Sequence, residues 1–300
     1  MVRPTLGGGP HPREHEPAAS ALPPVAPQSI SGQTPTTPGR FSGQSVVEEL
    51  LRQHEDRPTR SRLARAFGAS PLDSNGLSWL RAAQAEMIVG DILDRLPGNY
   101  SVYHSLPIPH TAFAVDHLVV GPGGVFSVNA KNHWDRDLAG SPRSLPIGGY
   151  PMPYLRDVAF ESAQITTLLA KELPPLAAVR PVIALVNPHK IRLARKPDSI
   201  TVIDSPRLRR WIAGQPRTIT PEQQLSIVAL VDDPATWSTK NQLLAPLHVH
   251  ARFTALEQQV AAARTRRVTL AVCAAAAVAT VIGLVASPMI VAMGEFIAAL

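Results

Sequence analysis

The chain is poor in several things at once, and each shortage closes off a class of protein. One cysteine, Cys273, stands in 300 residues, so neither an intrachain disulfide nor a zinc cage of thiolates can form. The first thirty or so residues hold Pro, Gly, His and charged side chains but no apolar run of the kind a secretory signal needs, so no leader is expected. There is no internal repeat, no phosphate-binding glycine loop and no Ser/His/Asp constellation. Lysine is scarce as well: five residues, Lys131 among them, the other basic side chains being arginine. With alanine and proline abundant, that bias reads as the coding habit of a GC-rich bacterial genome.

The formal net charge is +6 and the isoelectric point near 9.9, a balance suited to a polyanionic partner, either nucleic acid or an anionic leaflet. Residues 1–44 repeat Pro, Gly, Ser and Thr with few large apolar side chains; too little surface can be buried there to offset ordering entropy, so a disordered tail is expected. Residues 45–72 change character. Val46, Val47, Leu50 and Leu51 recur at helical spacing, then Leu63, Ala66 and Phe67, with Pro58 between the sets, which predicts two short helices. Arg57, Arg60, Arg62 and Arg65 cluster at the break, either as a solvated face or as a contact for nucleic acid or lipid.

The other end is chargeless from residue 268 to residue 294. About twenty apolar residues span a bilayer core as a helix, so residues 268–287 are expected to cross a membrane, with 288–300 as an apolar tail too short to return. A buried Ala/Val-rich core helix is the alternative. Arg264, Arg266 and Arg267 precede the run and only Glu295 follows it, which predicts a single-pass protein of the bacterial cell membrane with its bulk on the cytoplasmic side. Residues 232–267 read as a connector whose last part, 253–263, is a helix continuous with the span.

Between these ends lies the patterned core. The turn Asp73-Ser74-Asn75-Gly76 opens a helix whose stripe is Leu80, Ala83, Met87, Ile88, Ile92, Leu93 and Leu96, closed by Pro97-Gly98. Three strands follow over 100–108, 113–120 and 124–131, then a Gly/Pro-rich loop over 132–153 carrying Trp134, Arg136, Arg143 and Tyr150. A second long helix spans 154–173, and an almost continuous apolar run at 181–187 reads as a buried parallel strand. A shorter strand at 200–203 and helices at 207–213 and from Pro221 complete it.

The chemistry concentrates in Val115-Asp116-His117-Leu118-Val119-Val120-Gly121-Pro122-Gly123-Gly124-Val125-Phe126-Ser127-Val128-Asn129-Ala130-Lys131. A hairpin through the Gly-Pro-Gly-Gly turn brings Asp116 to the same end of the ladder as Asn129 and Lys131, which share a face because they are two residues apart. His117, next to Asp116, points to the opposite face and reads as structural. An acid, an oxygen ligand and an amine converging on one spot suit a metal-dependent phosphodiesterase, since Mg²⁺ prefers oxygen ligands and a lysine can steady the phosphate or the attacking water.

These residues, with Ala85-Glu86 in the opening helix and Asn129-Ala130-Lys131-Asn132 after the turn, resemble the NERD domain, the nuclease-related domain of the PD-(D/E)xK restriction-endonuclease-like superfamily. The resemblance covers roughly residues 77–231, within a domain expected over 73–231. It implies an α/β core ordered helix, three strands, helix, strand. It implies Glu86, Asp116 and Asn129 as ligands of Mg²⁺ or Mn²⁺, Lys131 as the fourth catalytic residue, and Gln164 and Arg156 of the second helix as substrate contacts.

Two positions depart from the family's pattern. Ala85 replaces a glycine, a small change. Asn129 replaces the acid of the acid-x-Lys motif, keeping a carbonyl oxygen for a metal but losing the charge and the ability to take a proton. Three functions follow from the sequence: a membrane-anchored Mg²⁺-dependent nuclease acting on DNA, a decayed nucleic-acid-binding module of the same fold, and a membrane adaptor whose tail recruits a protein partner.

Overall fold

A computed structural model describes residues 40–56, 58–108, 114–132, 137–140, 145–147, 150–152, 154–172, 178–187, 190–193, 199–237 and 246–298. The expected tail lies, up to residue 39, outside the described residues, as do Trp134, Arg136 and Arg143.

The two short helices read around Pro58 are α1 (Gln44–Glu55) and α2 (Arg62–Ala66). The long opening helix is α3 (Ser74–Leu93); the Asp73 side chain caps it by accepting from the Gly76 backbone N–H at 2.8 Å, satisfying one of the donors that a helix start leaves bare. Strands β1 (Ser101–Pro107), β2 (Ala114–Gly121) and β3 (Gly124–Asn132) form an antiparallel meander. The β2–β3 turn closes with Gly121 paired to Gly124, whose φ of +110° is a conformation that a side chain rarely adopts.

The stretch read as a weakly patterned loop after residue 132 instead contains three short strands, β4 (Asp137–Gly140), β5 (Leu145–Ile147) and β6 (Tyr150–Met152). Helix α4 (Tyr154–Glu172) then leads to β7 (Arg180–Val186), which lies parallel to β3 as expected of its apolar run. Strand β8 (Lys190–Leu193) joins the small sheet in the order β6-β5-β4-β8, and β9 (Thr201–Asp204) completes the main sheet in the order β1-β2-β3-β7-β9. Helices α5 (Ser205–Ala213) and α6 (Pro221–Asp232) follow, the latter held at its start by a capping box between Thr220 and Gln223. The expected order of helix, three strands, helix and strand is present in a mixed α/β fold.

Alternation along the strands splits the core into two layers. On one face Leu118, Val120 and Val125 pack with Ile165 and Leu169 of α4 and with Ile227 and Val231 of α6. On the other, Val119, Phe126, Val128, Val182 and Ala184 pack with Ala85, Val89 and Leu93 of α3 and with Leu208 and Ile212 of α5. The sheet is covered on both sides, which is why β7 reads as an unbroken apolar run.

The last helix departs from the sequence reading at its start. Helix α7 (Pro246–Ala298) begins seven residues before the expected Phe253 and continues through Pro288. Its first part, read as a connector, is built into the domain: Val249, Phe253 and Leu256 are buried against Val47, Leu50 and Leu51 of α1 and Leu80 and Ala83 of α3. From residue 265 to residue 284 the helix is exposed. Over Pro246–Leu284 the helix contains a window of mean hydropathy 2.0 with no buried share, long and apolar enough to cross a membrane.

Candidate functional site

The hairpin register sets the first contacts. His117 of β2 pairs with Val128 of β3, the last pair of that ladder, and Asp116 and Asn129 are the residues next to it on the two strands. The Asp116 carboxylate bends over the end of β3 and accepts the Ala130 backbone N–H at 2.9 Å through Oδ2. Ser127, Asn129 and Lys131 lie two residues apart and share the face that α4 covers. Glu86, from the middle of α3, is buried at the same end of the sheet. The sequence-read Glu86, Asp116, Asn129 and Lys131 are thus gathered, close enough that the charges of Asp116 and Lys131 both act on Glu86.

A further carboxylate, absent from the sequence reading, stands among them. Glu161 of α4 is only 8% exposed. Its Oε1 accepts from Ser127 Oγ at 2.6 Å, and its Oε2 accepts from Asn129 Nδ2 at 3.4 Å. Asn129 therefore has a carboxylate beside it, donated by a helix. A sequence signal for it existed. Glu161 sits on the stripe formed by Val158, Ile165 and Leu169, and an acid on the core stripe of an amphipathic helix is rarely buried without a partner.

The electrostatics follow from three acids held in a poorly solvated place. Burial, then the charge of Asp116, pushes the Glu161 carboxyl up from its ordinary 4.5 to about 8, against the opposing pull of the Ser127 hydroxyl and Lys131. Burial, then Asp116, raises Glu86 as well. Burial raises Asp116, opposed by Lys131 and the Ala130 N–H. The three acids titrate as a set, and near neutral pH the cluster holds protons that ordinary carboxylates would have released.

The donor set suits a hard cation. All its ligating atoms are oxygens, and Asn129 Oδ1 is buried without a hydrogen-bond partner, at a residue 7% exposed. Among the described residues, however, no three His, Cys, Asp or Glu side chains are grouped tightly enough to hold a metal between them.

The two residues expected to touch substrate both lie on α4, the helix that carries Glu161. Gln164 is half-buried one turn beyond Glu161, and Arg156 is exposed beside Asp157, 3.6 Å away, its side chain 84% accessible. Neither takes part in the hydrogen bonds of the cluster. His117 faces the other layer, as its position beside Asp116 required. Its Nδ1 lies 2.8 Å from His104 Nδ1, and His104 Nε2 lies 3.0 Å from Asp94 Oδ1 at the end of α3. Burial, then His104, lowers the His117 pKa well below its usual range, so His117 is held neutral where the two rings tie α3, β1 and β2 together.

Residues 81–186, about a third of the chain, match the family model of NERD, the nuclease-related domain. The match runs from α3 to the end of β7 and takes in every member of the cluster, Glu161 included; it is narrower than the 77–231 suggested by resemblance. No curated protein and no solved structure matches the chain.

Proposed function

We propose that the chain is a metal-dependent nuclease acting on DNA at the cytoplasmic face of a bacterial membrane, into which the apolar part of α7 anchors it. The observation that carries this reading is Glu161 over Asn129. It returns a carboxylate to the one position where the acid-x-Lys pattern lacks it, beside an orphaned amide oxygen that needs a positive partner. Asp116, Glu86, Glu161 and Asn129 Oδ1 are the residues that would hold Mg²⁺ or Mn²⁺. When bound, such an ion lowers the pKa of water and offsets charge on a phosphodiester.

The protein's own groups do the rest. Lys131 holds the charge that develops on the phosphate oxygens as water adds to phosphorus and the bond to the leaving sugar oxygen breaks. Glu161, once ionised, takes the proton given up by the attacking water at Oε2, the oxygen held only by the weaker bond from Asn129, and the leaving sugar oxygen gains its proton from solvent. The positive net charge favours approach of the polyanion. The arginine-rich flank before the span and the chargeless segment support the membrane side of the reading.

A non-cutting nucleic-acid-binding module has one observation in its favour: the acids are not drawn up to ligand distance. The test is titration of Mg²⁺ and Mn²⁺ into the full chain in detergent with labelled single- and double-stranded DNA, beside Lys131→Ala. Metal-dependent cleavage absent from the variant supports the nuclease. Binding without cleavage supports the module, and neither supports the adaptor.

A further inference from the structure

Helix α2 is five residues long, is capped by Ser61, and projects Leu63 and Phe67 into solvent at 72% and 68% exposure. The two are four residues apart and so lie on the same side of the turn. Single exposed apolar residues are ordinary, but this pair is fastened to a particular place. Arg266 Nη1 donates to the Arg65 carbonyl at 3.3 Å, and Arg267 Nε donates to the Gly68 carbonyl at 3.4 Å. Arg60 donates to the Ala69 carbonyl at 2.7 Å and to Gln259 of α7 at 3.1 Å. Gly68, with φ of +72°, lies so close to α7 that a Cβ there would stand 2.6 Å from the Ala263 carbonyl oxygen. Helix α2 is therefore strapped to the turn of α7 that immediately precedes Val268, where the chargeless run begins.

The charge on this surface is of one sign. Arg60, Arg62 and Arg65 come from the α2 side and Arg264, Arg266 and Arg267 from α7, while residues 57–72 and 258–294 contain no acid at all. Arg65 and Arg266 both act on Arg60, adding to the effect of its burial in lowering its pKa, which shows that the cations are crowded. An arginine crowd flanking two apolar side chains matches the boundary of an anionic bilayer, where guanidinium groups meet headgroup phosphates and apolar side chains enter the acyl region. Nucleic acid would answer the arginines but leave Leu63 and Phe67 in water.

We propose that Leu63, Phe67 and the surrounding arginines form a second membrane contact that docks the domain on the anionic leaflet through which α7 passes. This rests on the reading of the apolar part of α7 as a membrane span. Two attachments, one spanning and one lying on the surface, fix the orientation of the domain where a single helix would leave it free to tilt. The nuclease-like cluster is then presented at a set angle and height above the bilayer.

The experiment uses the full chain in vesicles of phosphatidylcholine with or without phosphatidylglycerol, in a Cys273→Ala background. A polarity-sensitive fluorophore is placed at Phe67→Cys, Leu63→Cys, Ser78→Cys or Val278→Cys, and quenching by spin-labelled lipid is read for each. The expected result is quenching at 278 in all vesicles, at 63 and 67 in anionic vesicles, and none at 78. Arg62→Gln with Arg65→Gln should lower the docked-to-undocked ratio by about a factor of five per arginine removed. Quenching at 278 with none at 63 and 67 overturns the surface contact alone. Absence of quenching at 278 overturns the span and the contact with it. Protection of 63 and 67 from aqueous iodide without lipid quenching, rising with protein concentration, assigns the patch to a second copy of the chain and overturns the proposal.

Discussion

Two regions meet on α3 within a single turn and obey opposite rules. Ala83 faces the bundle of α1, α3 and α7, where Leu50, Leu51, Phe253 and Leu256 are buried among apolar neighbours. Three residues on, Glu86 faces the cluster with Asp116, Glu161 and Lys131, where buried acids repel one another and Asn129 Oδ1 has no partner. The bundle contributes stability by removing apolar surface from water. The cluster opposes stability, because buried charge and unsatisfied polar atoms are costly unless a ligand or a proton compensates them. The bundle stabilises the fold; the cluster holds acids and an unpartnered amide oxygen at a cost to it.

The contrast is broken most strongly from the bundle side. Phe253→Ala should destabilise the protein by about 3–5 kcal/mol, as loss of a fully buried ring does, measured by urea unfolding in detergent. The molecules that remain folded should keep their metal affinity, since Phe253 is remote from the cluster in the contacts it makes. Lys131→Ala should act the other way, with cleavage falling by roughly 10²–10³-fold while the unfolding midpoint moves little. If both variants lose activity in proportion to their stability, the two regions are not separate.

A smaller effect sharpens the comparison through pH. The Glu161 carboxyl titrates near 8 in the folded chain against an ordinary 4.5, so its contribution to stability is full below about 4.5, declines between there and 8, and is gone above. The raised Glu86 and Asp116 have the same sign and steepen the decline. Metal-free protein should therefore lose stability as pH rises through this window, and Glu161→Gln should flatten the curve. Metal affinity should rise over the same window, because binding displaces protons. The smallest effect is at the strap: Gly68→Ala, at φ +72° and against the Ala263 carbonyl, should destabilise by about 1–2 kcal/mol and loosen α2 from α7, read by hydrogen exchange at residues 63–68.

Much of the fold was legible because its signals are local and periodic. The Asp73 turn, the Gly-Pro-Gly-Gly turn, the apolar run of β7 and the Pro221 start each specify an element within a few residues. Asp116, Asn129 and Lys131 were found because one hairpin brings them together, and Glu86 because the resemblance to the NERD pattern points to it. Glu161 was not, since its role depends on α4 lying across Ser127 and Asn129, a contact between residues more than thirty apart. The packing of Phe253 on α1 was missed for the same reason: an amphipathic stretch beside a long apolar run reads as a stalk until the partner helix, some two hundred residues away in sequence, is seen against it.

The central claim is that Glu161 supplies the acid that position 129 lacks. Its most direct test is Mn²⁺ binding by calorimetry at pH 8, with DNA cleavage alongside, for the natural chain, Glu161→Gln, and Glu161→Gln combined with Asn129→Asp. The expected result is loss of metal binding and of cleavage in the single variant and recovery of both in the double, where the carboxylate returns to the strand. Binding and cleavage unchanged in Glu161→Gln would contradict the claim, leaving Glu161 a buried partner of Ser127 and nothing more.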